Sequence, residues 1–173
     1  MVRSTRRALC FTSRSILICT LFTVAAAAAD DPGGWSKAKW GMTEPQIASA
    51  FGADRIVHIP LAAGGAQPGV DIDLVGAPFR AMFGLKDGRL AGVNISPRQE
   101  KDRNDQVFES LVNALVEKYG RPWKSETGQM LKTTEYQWSL PTTVITASFT
   151  TASSVTDICI LDIHYGRRSV DPL

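Results

Sequence analysis

The sequence predicts an α+β fold: two helix-plus-antiparallel-strand units packed as one two-layer domain. Three observations carry that expectation. A helix-like segment closing on an aromatic residue and a glycine occurs twice, at Phe51-Gly52 and at Tyr119-Gly120. Each is followed by runs in which apolar and polar side chains alternate, the pattern of a strand with one buried face. Neither unit, about 40–97 and about 98–168, buries much apolar surface alone, so the two must share a sheet or pack side by side.

Residues 1–29 are set apart from the fold as a secretory signal peptide. Arg3, Arg6, Arg7 and Arg14 precede an uncharged run from Ser15 to Ala29 that closes on five alanines. Small residues place cleavage after Ala28 or Ala29. The run is shorter than the roughly 20 apolar residues that cross a bilayer, so no stable membrane insertion is expected. Cys19 follows Ile18, a poor context for a lipoprotein signal. The expected product is soluble and lies in the periplasm or is secreted.

Without that leader the basic character disappears: taking four arginines from the 19 Lys and Arg leaves 15 against 17 Asp and Glu, a net of −2. No run of Lys or Arg is interleaved with aromatics, and counterion release needs such a surface, so no nucleic-acid partner is expected. Cys10 and Cys19 leave with the leader. Cys159 then stands alone between Ile158 and Ile160, without a disulfide partner, and reads as a small buried hydrophobe.

Along the chain, 30–34 is polar and glycine-rich and reads as a flexible N-terminal tail, with 169–173 as a C-terminal tail and 35–168 as the domain. Thr43 is placed to cap the first helix, with Gln46 at its third position and Met42 and Ile47 stapling across the cap. Pro45 disfavours helical dihedrals at Glu44, so the start falls there or one residue away. Ile47, Ala50 and Phe51 form the apolar face, and Gly52 ends the helix. Gly64, Gly65, Pro68 and Gly69 mark a long loop, the best candidate for a binding loop.

Phe79, Ala81, Phe83 and Leu85 alternate with Arg80, Met82, Gly84 and Lys86, and Asp87-Gly88 closes a β-hairpin. A two-residue Asp87-Gly88 turn would set Phe83 opposite Gly92 and put Val93 on the face of Arg80. A three-residue Lys86-Asp87-Gly88 loop pairs Phe83 with Ala91, Ala81 with Val93 and Phe79 with Ile95. Only the second gathers the large apolar side chains on one face, so it is the expected register.

Asn104 or Asp105 caps the second helix, in which Val107, Phe108, Leu111, Val112, Leu115, Val116 and Tyr119 recur at spacings of three and four. Gly120 ends it and Pro122 prevents its return. Strands are expected from Thr133 to Ser139, Thr143 to Thr150 and Asp157 to Tyr165, separated by Leu140-Pro141 and Ala152-Ser153-Ser154, as an antiparallel meander.

Candidate chemistry is sparse. Asp162 and His164 share one strand face, where a carboxylate could orient an imidazole, and Ser148 or Thr150 could lie alongside. No glycine-flanked nucleophile turn accompanies them, so the pair is expected to face solvent and no catalytic residue is assigned. His58, His164 and Cys159 do not make a ligand set, and alternation with Val70, Ile72 and Leu74 explains Asp71 and Asp73 as the wet side of a strand. No metal is expected. The segment from Gly64 to Gly69 lacks a following Lys-Ser/Thr, so no nucleotide or other cofactor is expected. Trp138 reads as core. Trp35 and Trp123, beside chain ends and turns, and Gln67 in the glycine-rich loop are the candidate contact residues.

Trp40-Gly41-Met42-Thr43 through Phe51-Gly52, and Leu115 through Lys118-Tyr119-Gly120-Arg121-Pro122, resemble small bacterial periplasmic proteins of β-lactamase-inhibitor-like architecture, including the SmpA/OmlA envelope-assembly group. The resemblance covers two short segments. It implies tandem helix-plus-sheet units that act by protein contact rather than chemistry. The chain departs from the assembly lipoproteins in having no cysteine at the cleavage site, and from the secreted inhibitors in having no disulfides. The expected function is a non-enzymatic protein-binding module in envelope assembly or inhibition, with an unidentified envelope protein as partner. The alternative is a carrier with a small apolar ligand between helices and sheet.

Overall fold

Alternation of apolar and polar side chains along eight segments builds one antiparallel sheet. The computed structural model describes residues 30–62, 64–128, 131–152 and 159–168. The leader expected over 1–29, the tail over 169–173, the Ser153-Ser154 break and the start of the last strand at Asp157 lie outside the described residues. Strands β1 (Gly34–Trp35) and β2 (Ala38–Lys39) form a small ribbon, followed by helix α1 (Glu44–Phe51). Next come β3 (Ile56–Pro60), β4 (Ala66–Leu74), β5 (Ala77–Lys86) and β6 (Arg89–Pro97). Helix α2 (Asp105–Tyr119) leads into β7 (Trp123–Thr127), β8 (Leu131–Ser139), β9 (Thr143–Ala152) and β10 (Cys159–Arg167). The large sheet runs β3-β4-β5-β6-β10-β9-β8-β7. Each helix is thus followed by a four-strand meander, and the two meanders meet at β6 and β10.

This corrects the expected α+β class. Among the described residues strands hold 54% and helices, two short 3-10 turns included, 22%, and one eight-stranded antiparallel sheet with two α-helices is a mostly-β fold, not a balanced two-layer one. Segments expected as loop account for the difference. Gly69 was a loop marker in the sequence, yet it lies in β4 between His58-bearing β3 and β5. A Cβ there would meet the Ala81 carbonyl oxygen and Ile59 Cδ1, each at 2.9 Å, so the glycine answers close strand packing rather than a turn. Trp123–Thr127 likewise pairs with β8 as an edge strand.

The hairpin register also differs from expectation. Phe83 pairs with Val93, Ala81 with Ile95 and Phe79 with Pro97, while Lys86 pairs with Arg89 around a two-residue turn. Asp87 and Gly88 both have positive φ, 52° and 71°, as a tight hairpin turn that follows the strand twist requires. The extra residue is in the strand rather than the loop: the register shifts beside Gly84 and Leu85, leaving Ala91 without a partner. That bulge restores Val93 to the apolar face, which a two-residue turn alone would have denied it.

The core covers one face of the sheet. Ile56, Val70, Ala81, Ile95, Ile163, Ala147 and Tyr136 stand opposite one another across seven strands. A neighbouring row runs Phe83, Val93, Tyr165, Ile145 and Trp138. Both helices lie over this face. Phe51 at the end of α1 meets Phe83 with ring centroids 5.4 Å apart, and Phe108 of α2 stacks on Phe149 at 5.3 Å. Asn104 Oδ1 caps α2 by accepting from the Val107 N–H at 2.9 Å, and Gln46 Oε1 accepts from the Thr43 N–H at 2.8 Å. Both helices stop at glycines with positive φ, Gly52 and Gly120.

Residues 30–34, expected as a flexible tail, are tied to the fold. The Asp31 carboxylate accepts from the Thr142 N–H and, at 2.8 Å, from the Thr143 hydroxyl. Thr143 is fully buried, and its hydroxyl accepts from Trp40 Nε1 at 3.1 Å. The chain Trp40 to Thr143 to Asp31 satisfies the buried Thr143 hydroxyl as both acceptor and donor. Burial alone would raise the Asp31 carboxyl, but hydrogen bonds from Gly33, Thr142 and Thr143 hold it below the ordinary value.

Candidate functional site

With both helices on one side, no described element lies over the other face of the sheet, and strand periodicity decides what it presents. One row crosses all eight strands: Val57, Gly69, Met82, Asn94, His164, Thr146, Gln137 and Trp123, each opposite the next. It ends at Trp123, which is 63% exposed. Ile160 and Leu131, also exposed, stand on the same face.

Beside that row, Gly84, Gly92 and Gly166 face one another on β5, β6 and β10, so the centre of the open face has a floor of bare backbone. The His164 ring lies across it. A Cβ built on Gly92 would come within 3.2 Å of His164 Cε1, and one on Gly166 within 3.2 Å of Nε2. On the other side of His164, Asp162 accepts from Asn94 Nδ2 at 3.4 Å. Burial raises the Asp162 carboxyl above its usual value, with the Asn94 hydrogen bond and the charge of Arg103 opposing the shift. Ser148 stands opposite Asp162, and Glu135 opposite Ser148.

Asp71 and Arg80 close the opposite wing. Arg80 Nε and Nη2 donate to the two Asp71 oxygens at 2.6 and 3.1 Å, and Arg98 Nη1 adds a contact at 3.0 Å. The Arg80 hydrogen bond is the main cause holding the Asp71 carboxyl low, aided by the charges of Arg80 and Arg98 against a burial effect that opposes them. Such a planar two-point pair fixes both side chains.

The sequence-derived candidates separate in space. Trp123 is on the open face. Trp35 is half-buried on the helix side, stacked on Phe51 with centroids 5.9 Å apart and interplanar angle 8°, which makes it a packing residue rather than a contact residue. Gln67 is not in a flexible loop: it lies in β4 opposite Ile59 and is half-buried. Asp162 and His164 share the open face as their spacing requires, with Ser148 and Thr146 opposite them. His58 instead pairs with Glu44 of α1 at 2.8 Å. Cys159 opens β10, partly buried against the core.

Among the described residues no group of three or more His, Cys, Asp or Glu is placed to hold a metal ion, and no helix is long and apolar enough to cross a membrane. The space between helices and sheet is filled by Ile47, Phe51, Phe79, Phe83, Leu111 and Phe149. A cleft of about 250 Å³ lies beside α2, lined by Phe108, Glu109, Val112, Asn113 and Tyr136.

No protein-family profile matches the chain, and no curated protein or solved structure matches it. The glycine floor was missed in the sequence, although its signal was present. Gly84, Gly92 and Gly166 each occupy an outward position of an alternating strand, where a turn or a core contact gives no reason for glycine.

Proposed function

We propose that the protein is a non-enzymatic binding module of the periplasm or extracellular space that docks an envelope protein on its helix-free sheet face. The observation that carries this reading is the row from Val57 to Trp123 across eight strands, over which no described element lies. Its centre is a bare-backbone trough flanked by His164, and its rim carries Trp123, Leu131 and Ile160, residue types that anchor interfaces when a partner desolvates them. Asp162 and Glu135 supply charge on the same face, and among the described residues neither takes part in an ion pair. A partner loop bearing Lys or Arg, laid across β10, β9 and β8, would meet both carboxylates and bring the Asp162 carboxyl down from its raised value. The resemblance of the helix segments to β-lactamase-inhibitor-like envelope proteins supports the same reading.

Affinity capture from envelope extracts tests this with the intact protein beside a Trp123→Ala/His164→Ala variant. A defined partner retained by the first and lost from the second is expected. Recovery of the same proteins by both, or of none above background, contradicts the reading.

A further inference from the structure

We propose that a cationic groove at one end of the sheet binds a multiply charged phosphoryl anion, independently of the open-face docking described above. The groove encloses about 530 Å³ and is lined by Lys86, Asp87, Arg89, Leu90, Ala91, Thr142, Arg167 and Arg168. Four cations and one carboxylate thus line a single cavity. The chain brings them from two distant places: Lys86 and Arg89 flank the β5–β6 turn, while Arg167 ends β10 and Arg168 follows it.

Three features set this apart from a solvated run of charge. First, Lys86 and Arg89 are direct cross-strand partners, and like charges opposite one another on a ladder destabilise it. An anion between them converts that repulsion into attraction. Second, the unpaired Ala91 bulge lies in the groove wall, and bulges re-aim neighbouring side chains at functional sites. Third, two of the arginines are held by backbone acceptors: Arg89 Nη1 donates to the Gly41 carbonyl at 3.2 Å and Arg168 Nη1 to the Leu140 carbonyl at 3.4 Å. Each keeps other guanidinium donors for a ligand. Among the described residues none of the four cations takes part in an ion pair. Arginine forks with a lysine point charge suit the several oxygens of a phosphate ester. Asp87, at the turn, is the one group in the lining that opposes an anion.

Titration calorimetry with pyrophosphate at low salt tests the site. Saturable one-to-one binding that weakens as salt rises is expected. Lys86→Ala/Arg167→Ala should weaken it about tenfold or more, because each lost charge-assisted contact is a large fraction of such an affinity. Neither residue makes a side-chain hydrogen bond to the described protein, and losing Lys86 relieves its repulsion with Arg89, so the variant should unfold at or slightly above the wild-type temperature, whereas Lys118→Ala on α2 should leave binding unchanged. Vesicles of phosphatidylglycerol, set beside vesicles of phosphatidylcholine, separate the sources of the phosphoryl group. Phosphatidylglycerol-specific sedimentation that pyrophosphate reverses identifies a lipid headgroup as a ligand. Pyrophosphate binding without sedimentation restricts the groove to soluble phosphates. Absence of saturable pyrophosphate binding, or equal weakening by Lys118→Ala, overturns the proposal.

Discussion

His164 rests its imidazole on the backbone of Gly92, so close that a methyl group at position 92 would come within 3.2 Å of the ring carbon Cε1. The glycine determines where the histidine lies. Because the ring is exposed, it can yield without disturbing the core.

Gly92→Ala should therefore move His164 while leaving unfolding free energy within about 1 kcal/mol of wild type. The His164 Hε1 resonance reports the ring directly and should shift. An unchanged resonance would show that the trough does not position the imidazole.

The Asp71 pair with Arg80 and Arg98 gives a pH-dependent contribution. Its folded-state carboxyl titrates below the ordinary value of 3.8, so the stabilisation is complete above that pH and is lost as pH falls through the lower folded value. Asp71→Asn should cost about 1 kcal/mol at neutral pH after allowance for solvent screening of this half-exposed group. Urea titrations repeated at decreasing pH should show the two proteins converge; a constant difference would remove the ion pair as its cause.

Phe83 is fully buried where β5 meets α1, touching Phe51 and Trp35. Phe83→Ala should destabilise by about 3–5 kcal/mol through lost burial and an unfilled cavity. Phe149→Ala, beneath Phe108 on the other half of the sheet, should cost a comparable amount. Denaturant midpoints give both values, and a loss near 1 kcal/mol at either position would contradict the packing described.

Asp31 and Thr143 tie the N-terminal segment to the β8–β9 turn. Asp31→Ala and Thr143→Val should each destabilise by about 1–2 kcal/mol. Combined, they should cost less than their sum, with a coupling of at least about 0.5 kcal/mol because they remove the same hydrogen bond. Strict additivity in a double-mutant cycle would show that the tether carries no energy.

Legibility in the sequence followed the range of the interactions. The two helices could be read because caps and stops are local: Thr43 with Gln46, Asn104, and the glycines at 52 and 120 act within a turn of the residues they control. Strands β5, β8 and β9 were equally plain from alternation. The mostly-β class was not, because Gly69 serves the approach of a neighbouring strand and resembled a loop signal. Register in the β5–β6 hairpin failed for a related reason. The apolar faces were assigned correctly, but a bulge at Ala91 satisfies them as well as a longer turn does.

The open face was half legible. Spacing placed Asp162 and His164 together, and position beside a turn drew attention to Trp123. Trp35 had the same local signature and yet stacks on Phe51, a contact that only the tertiary fold supplies. The cationic groove could not be read at all: Lys86 and Arg89 meet Arg167 and Arg168 only through the pairing of β6 with β10.

The most direct test of the open-face account is site-specific photo-cross-linking in the cells that make the protein. A photoreactive residue replaces Thr146 on the open face or Glu117 on α2 in otherwise intact protein. One defined protein adduct from position 146, absent from position 117 and lost when Trp123→Ala is added, is the predicted result. Adducts of the same protein from both positions, or none from position 146, would contradict docking on the helix-free face.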